Sequence, residues 1–340
     1  MRLINKIFYF GIAFLLTLLI LDRFILKAYI VNTAITDFTK KYGRCRVKNK
    51  TFVYFNEGFG VGKFNEGRYI GTFYPKEKPK GVTRIAALGD SYVEGFQVFH
   101  RNHFLTMLEK DLNQNLPNDS IQVLNFGRSG FDFGDMYAYY ERMVKQYNCN
   151  FVLFFLSNSD LNIRQTDPLI PKVSNENGEL EVTNDEMPEK YRTVFIDQLP
   201  FGNNSSIYNM ANNSRKLAKA GKLWPKLLDK FYVVDKKSRQ KSREGRKDVS
   251  KLSYLILQKL QKENSQIIFI NRDQRKLNRD FLSAITPPLI YFDLSNDSDL
   301  YKMGNDPHYW PTTGKMGHWN NEGHRRVEKF LFQKIFEMLY

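Results

Sequence analysis

The sequence predicts a doubly wound, flavodoxin-like three-layer α/β/α domain built on a five-stranded parallel sheet. Strand-like and helix-like segments alternate along most of the chain, which is the pattern of a parallel sheet covered on both faces. The segments "VLFFL" and "QIIFI" are unbroken apolar runs, as expected of strands buried on both sides. With 340 residues, 42% of them hydrophobic and 15% aromatic, the chain can bury a substantial core.

The first element is "IFYFGIAFLLTLLIL", Ile7–Leu21, fifteen apolar or small residues behind Arg2 and Lys6. A spanning helix needs about 20 residues, which the run reaches by including its flanks. It exceeds a typical cleavable core and no A-x-A site follows, so residues 1–30 read as an uncleaved membrane anchor. Basic residues from Arg23 to Lys50 outnumber those before the run. A positive-inside count would leave the large domain in the cytoplasm, although long domains are exported largely regardless of charge.

Residues 31–83 form a basic connector with leading strands and loops. The alternation then runs strand Arg84–Leu88, helix Phe104–Asn113, strand Ile121–Asn125, helix Gly134–Tyr147 and strand Phe151–Leu156. It stops at an insertion over residues 160–250, rich in Asn, Lys and Arg. That insertion holds an amphipathic stretch, Ile207–Tyr232, and the basic run Asp235–Asp248. It is expected to cap a site at the sheet edge. Alternation resumes with helix Val249–Lys262, strand Gln266–Asn271, a short helix near Gln274–Leu282, strand Pro288–Leu294 and a final helix Asn321–Leu339, so the main domain spans residues 84–340.

A net charge of +15 attracts anions such as acidic glycans, lipid headgroups or nucleic acid. No nucleic-acid-binding module accompanies the charge, so nucleic acid is not the expected partner. The basic insertion could hold an acidic polymer, lie against anionic lipid or be a solvated loop. Cys45 and Cys149 are too far apart for a metal knuckle, and either a single disulfide or two free thiols remains open. No motif calls for a cofactor or a metal.

Ligands of open α/β sheets bind beyond the carboxyl ends of the strands. Four stretches fall there or just after the last strand: "GDS" at 89–91, "NFGRSG" at 125–130, "FFLSNSD" at 154–160 and "GHWNNEGH" at 317–324. Taken singly, Ser91 and Gly130 fit ordinary turns and Asn158 a loop cap. Of the five histidines, His100 and His103 are expected at the surface and His324 in helix packing. His308, after a proline, competes weakly with His318 for a role as base.

In this order the four stretches resemble the blocks of the SGNH or GDSL-type hydrolases, over residues 50–340. "GDSYVEGFQV" looks like the form of the first block found in membrane-associated members. The resemblance implies Ser91 as nucleophile and His318 as base. It also implies an oxyanion hole made by the N–H groups of Ser91 and Gly130 and the amide of Asn158. The chemistry asks for these residue types: a serine hydroxyl needs a base within hydrogen-bond reach, and donors must face the developing oxyanion.

The family usually carries an aspartate two or three residues before the histidine, where this chain has Lys315 and Met316. Asp306 could fold back to take that place, or a Ser-His dyad or a backbone carbonyl partner could serve. Ser157 and Ser159 replace the commoner glycine and aspartate around Asn158. The activity implied is an esterase removing O-acyl groups, O-acetyl above all, from a carbohydrate or lipid through an acyl-serine intermediate. An O-acyltransferase modifying a cell-surface polysaccharide, or a glycan-binding protein without activity, are the alternatives. The resemblance also implies an extracytoplasmic, membrane-anchored domain.

Overall fold

The computed structural model describes residues 2–22, 35–183, 205–207, 218 and 248–340, apart from 166, 168, 177–178, 302–303 and 305. The chain divides into two compact units, residues 1–34 with 192–246 and residues 35–191 with 247–340.

In the first unit, α1 covers Arg2–Ile20. Asp22 accepts hydrogen bonds from Ser205 Oγ at 3.0 Å and from the Ile207 N–H at 2.7 Å. Among the described residues no helix is long and apolar enough to cross a membrane. The expected anchor over residues 1–30 runs past residue 22, where the described part of this segment ends. The rest of the amphipathic stretch and of the basic run lies, single residues aside, outside the described residues.

The second unit opens with two antiparallel hairpins, β1 (Thr36–Thr39) with β2 (Gly43–Arg46), and β3 (Thr51–Phe55) with β4 (Phe59–Lys63). Strands β5 (Val82–Leu88), β6 (Ser120–Asn125) and β7 (Phe151–Leu156) follow. A surface hairpin comes next, β8 (Lys172–Glu176) with β9 (Glu179–Thr183), and then β10 (Gln266–Asn271) and β11 (Ile290–Asp293). The main sheet has the order β6-β5-β7-β10-β11, parallel throughout. This is the flavodoxin-like order, which puts ligand sites at the carboxyl edge where the winding reverses next to β5.

Each central strand sends alternate side chains into two cores. Val152, Phe154 and Leu156 enter one with Ile267 and Phe269, while Leu153 and Phe155 enter the other with Ile268 and Ile270. The first core is covered by α4 (Phe133–Arg142), α5 (Lys251–Leu260) and α6 (Arg279–Ala284). The second is covered by α3 (Phe104–Asn115) and α8 (Asn321–Leu339). A short α2 (Ser91–Glu94) leaves β5, and α7 (Leu294–Asp297) leaves β11.

Element ends follow local chemistry. The strand expected from Pro288 starts at Ile290, because a proline has no N–H to give the ladder. The short helix near 274 starts at Arg279, where Asn278 accepts from the Asp280 and Phe281 N–H groups. Helix 134–147 ends at Arg142 and continues as a 3-10 turn, Val144–Tyr147. Arg84, fully buried, donates to Gln122 and to the carbonyls of Pro75, Lys76, Glu77 and Tyr147, tying the amino edge of the sheet to the incoming chain. Cys45 and Cys149 are buried free thiols.

Candidate active site

β5 delivers the chain to Gly89-Asp90-Ser91 at the carboxyl edge of the sheet. The Asp90 carboxylate accepts from the Tyr92 N–H at 3.0 Å and starts α2, putting Ser91 in its first turn. Gly95 ends α2 at φ +67°, and a Cβ there would lie 2.2 Å from the His103 ring. His103 is not at the surface, as expected, but buried. Its Nδ1 accepts from the Leu105 N–H at 3.2 Å, so its Nε2 carries the proton and donates to Val93 O at 3.0 Å. A buried imidazole thereby pins the short helix that carries Ser91.

Ser91 Oγ lies 2.8 Å from Nε2 of His318, and Nδ1 of the same ring lies 2.5 Å from Oε1 of Glu57. An ionised carboxylate only accepts, so Nδ1 holds the proton and Nε2 is left to accept from the serine hydroxyl. Glu57 Oε2 accepts from Tyr54 OH at 2.7 Å, and Glu57 is only 3% exposed. Burial alone would raise its carboxyl, but the hydrogen bonds from His318 and Tyr54 outweigh that and hold it down at about 2. Burial and the bond to Glu57 push the Tyr54 phenol up.

Glu57 belongs to the Asn56-Glu57-Gly58 turn between β3 and β4, inside the segment read as a connector. The one sequence signal for it is a carboxylate in a tight, glycine-flanked hairpin turn, "FNEGFG". The Asp306 carboxylate accepts from the His308 N–H at 2.9 Å instead of reaching the imidazole of His318. His308 uses Nδ1 on Gly317 O at 3.0 Å, and its ring stacks on Tyr301.

The second block is held by Glu94 of α2. Its buried carboxylate receives Arg46 Nε and Nη2, each at 2.7 Å, and the Ser129 N–H at 2.8 Å. Burial opposes its charge, yet Arg46, Arg128 and Ser129 keep the carboxyl below the usual range. Gly130 has φ +84° with open space where a Cβ would stand, so glycine is required there by backbone conformation.

In the third block, the Asn158 amide donates to Lys276 O at 2.8 Å, while Ser159 accompanies Gly130, Asp90, Asp160 and Arg272 around a polar cavity of about 390 Å³. The Asp160 carboxylate fastens that turn, accepting from the N–H and hydroxyl of Ser157, both at 2.8 Å. Arg272, at the end of β10, escaped the sequence reading altogether. It donates to Asp90 at 2.7 Å and to Ser157 at 3.2 Å, with its guanidinium 4.6 Å from the centre of the Tyr92 ring.

No protein-family profile and no curated protein match the chain. Among solved structures it is similar to a two-domain esterase active on acetylated mannans, with a TM-score of 0.40 and 11% identity over 75% of this chain and 49% of that one. It is also similar to the acetyl xylan esterase AlAXEase, with a TM-score of 0.37 and 14% identity over 74% and 99%. A third is a G-D-S-L family protein from Desulfitobacterium hafniense DCB-2, with a TM-score of 0.35 and 12% identity over 74% and 98%. Likeness this remote leaves the chemistry of the site to its geometry.

Proposed function

We propose that this protein is a serine ester hydrolase in which Ser91 attacks, His318 takes and returns the proton, and Glu57 orients the imidazole and stabilises its charged form. The observation that carries this reading is the continuous hydrogen-bond chain from Ser91 Oγ through both ring nitrogens of His318 to a buried carboxylate. In acylation the hydroxyl proton passes to Nε2 as Oγ bonds to the acyl carbon. The imidazolium then protonates the departing alcohol, leaving an acyl-serine that water resolves by the same route in reverse. The Ser91 and Gly130 N–H groups are the backbone donors for the oxyanion. The Asn158 amide, one N–H of which serves Lys276 O, has a second to offer as the third donor.

The substrate we favour is an O-acetylated carbohydrate. The cavity beside Gly130 is lined by Asp90, Asp132, Asp135, Ser159 and Arg272, which suits a polyhydroxylated alcohol better than a long acyl chain. The reading of an inactive glycan binder rested on a missing acid, and Glu57 meets that need from another direction.

The test is release of acetate from an activated acetyl ester by the full chain and by Ser91→Ala. The substitution is expected to lower kcat by at least about 10³-fold with the fold intact. Equal rates would overturn the nucleophile assignment.

A further inference from the structure

The residues just before His318 do more than deliver it. β12 (Tyr309–Trp310) pairs antiparallel with β13 (Lys315–Met316), and the Gly317 N–H donates to His308 O at 2.9 Å. This small hairpin grips both ends of the Glu57–His318 contact. On the imidazole side, Trp310 Nε1 donates to His318 O at 2.9 Å and His308 Nδ1 meets Gly317 O at 3.0 Å. On the carboxylate side, Thr313 Oγ1 donates to Glu57 O at 2.6 Å, while Lys315 Nζ donates to Asn56 O at 3.1 Å.

The fit between strap and turn is close. A Cβ on Gly317 would come within 2.4 Å of Glu57 Cγ, and a Cβ on Gly58 within 2.5 Å of the Trp310 ring. Neither glycine has a positive φ, so both are demanded by contact alone. Lys315 occupies one of the two positions where an aspartate would ordinarily precede the histidine, and here its ammonium holds the turn that brings the carboxylate in from elsewhere.

We infer that the 308–317 hairpin is a positioning strap. Thr313 and Trp310 set the geometry of the Glu57–His318 pair, and neither side chain is required to touch substrate. The inference rests on the serine-hydrolase reading for its kinetic consequence, though the strap's hold on the pair is a property of the folded protein itself. A carboxylate that enters from a separate hairpin has no covalent neighbour to fix its distance from the imidazole. Each strap hydrogen bond supplies part of that constraint, and a displaced orienting group lowers turnover without weakening substrate binding.

Thr313→Val removes the hydroxyl at nearly constant shape, and Trp310→Phe removes the indole N–H while keeping a ring against Gly58. Each is expected to lower kcat about fivefold to tenfold with KM unchanged. Thr313→Ser should restore the rate. In a Glu57→Gln background Thr313→Val should cost nothing further, because the strap acts through Glu57. A second readout needs no turnover: the downfield proton resonance of the His318 Nδ1–H, expected in the native protein and in Ser91→Ala, should move upfield in Thr313→Val.

An equal loss from Thr313→Val with and without Glu57→Gln would make the hairpin merely structural and overturn the proposal. So would native rates and an unmoved resonance in both strap variants. If Ser91→Ala kept full activity, the hydrolase reading would fail on its own, while the resonance would still report on the strap.

Discussion

Glu57 meets His318 from 261 residues upstream, and its charge is fixed by what touches it. Replacing it with glutamine keeps the shape but offers His318 a group that donates as well as accepts, so the imidazole is no longer held in the tautomer that leaves Nε2 free. Glu57→Gln is therefore expected to lower kcat by about 10⁴-fold, the size of the loss when an orienting carboxylate is exchanged for its amide. Asp306→Asn should stay within about twofold of the native rate, since that carboxylate serves the His308 N–H. Parallel rate measurements on the two variants decide which acid acts. The same substitution has a stability signature. Because the folded carboxyl sits at about 2 against a reference of 4.5, its contribution is whole above about pH 4.5 and is lost as the pH falls toward 2. Glu57→Gln should flatten that portion of a denaturation profile collected between pH 3 and 5.

At the scale of elements, α3 and α8 pack side by side over the second core and bring Asp111 against Glu328. Burial, and then the neighbouring Asp111 carboxyl, push Glu328 up to about 7. The fold holds that proton after the unfolded chain has released it. The contribution is thus present below about pH 4.5 and lost as the pH rises to 7. Glu328→Gln should raise the midpoint of urea unfolding at pH 8 and leave it nearly unchanged at pH 4; a lowered midpoint at pH 8 would contradict the contact. How legible each element was in the sequence follows its physics. β7 and β10 were visible because a strand covered on both faces must be apolar at every position. Their neighbours were placed to within a residue or two, with errors at caps and prolines where a single hydrogen bond decides the boundary. The β3–β4 hairpin was invisible as part of the site, because nothing local marks Glu57 as the partner of a histidine so far away, and Arg272 was missed because a lone arginine after an apolar strand has no motif.

For the molecule as a whole, parallel winding brings Ser91, Gly130, Ser159 and Arg272 together at one edge of the sheet, and two neutral imidazoles, His324 of α8 and His103 at the start of α3, back that edge. Burial, and then repulsion from the protonated form of His318, hold His324 down at about 3. Burial and His324 hold His103 well below its usual value. His324 accepts from the Phe104 N–H at 3.3 Å and its ring stacks on Phe104, so helix α8, helix α3 and the α2 turn are joined through uncharged rings. The unfolded chain takes up protons at both histidines near pH 6.5, whereas the folded chain does not. Each therefore removes about 1.4 kcal/mol of stability per pH unit as the pH drops below that point. Glu328, Asp135 and Asp160, whose carboxyls burial raises, act with the opposite sign over part of the same window, so the difference between two proteins is the informative quantity. His324→Phe keeps the ring against Phe104 and removes one titration. Urea unfolding of both proteins at steps from pH 5 to 6.5 should then give stability slopes that differ by about 1 kcal/mol per pH unit, with the variant the flatter against acid. Parallel slopes would mean that His324 is protonated in the fold, and that the back of the active-site edge is open to water and not sealed by these rings.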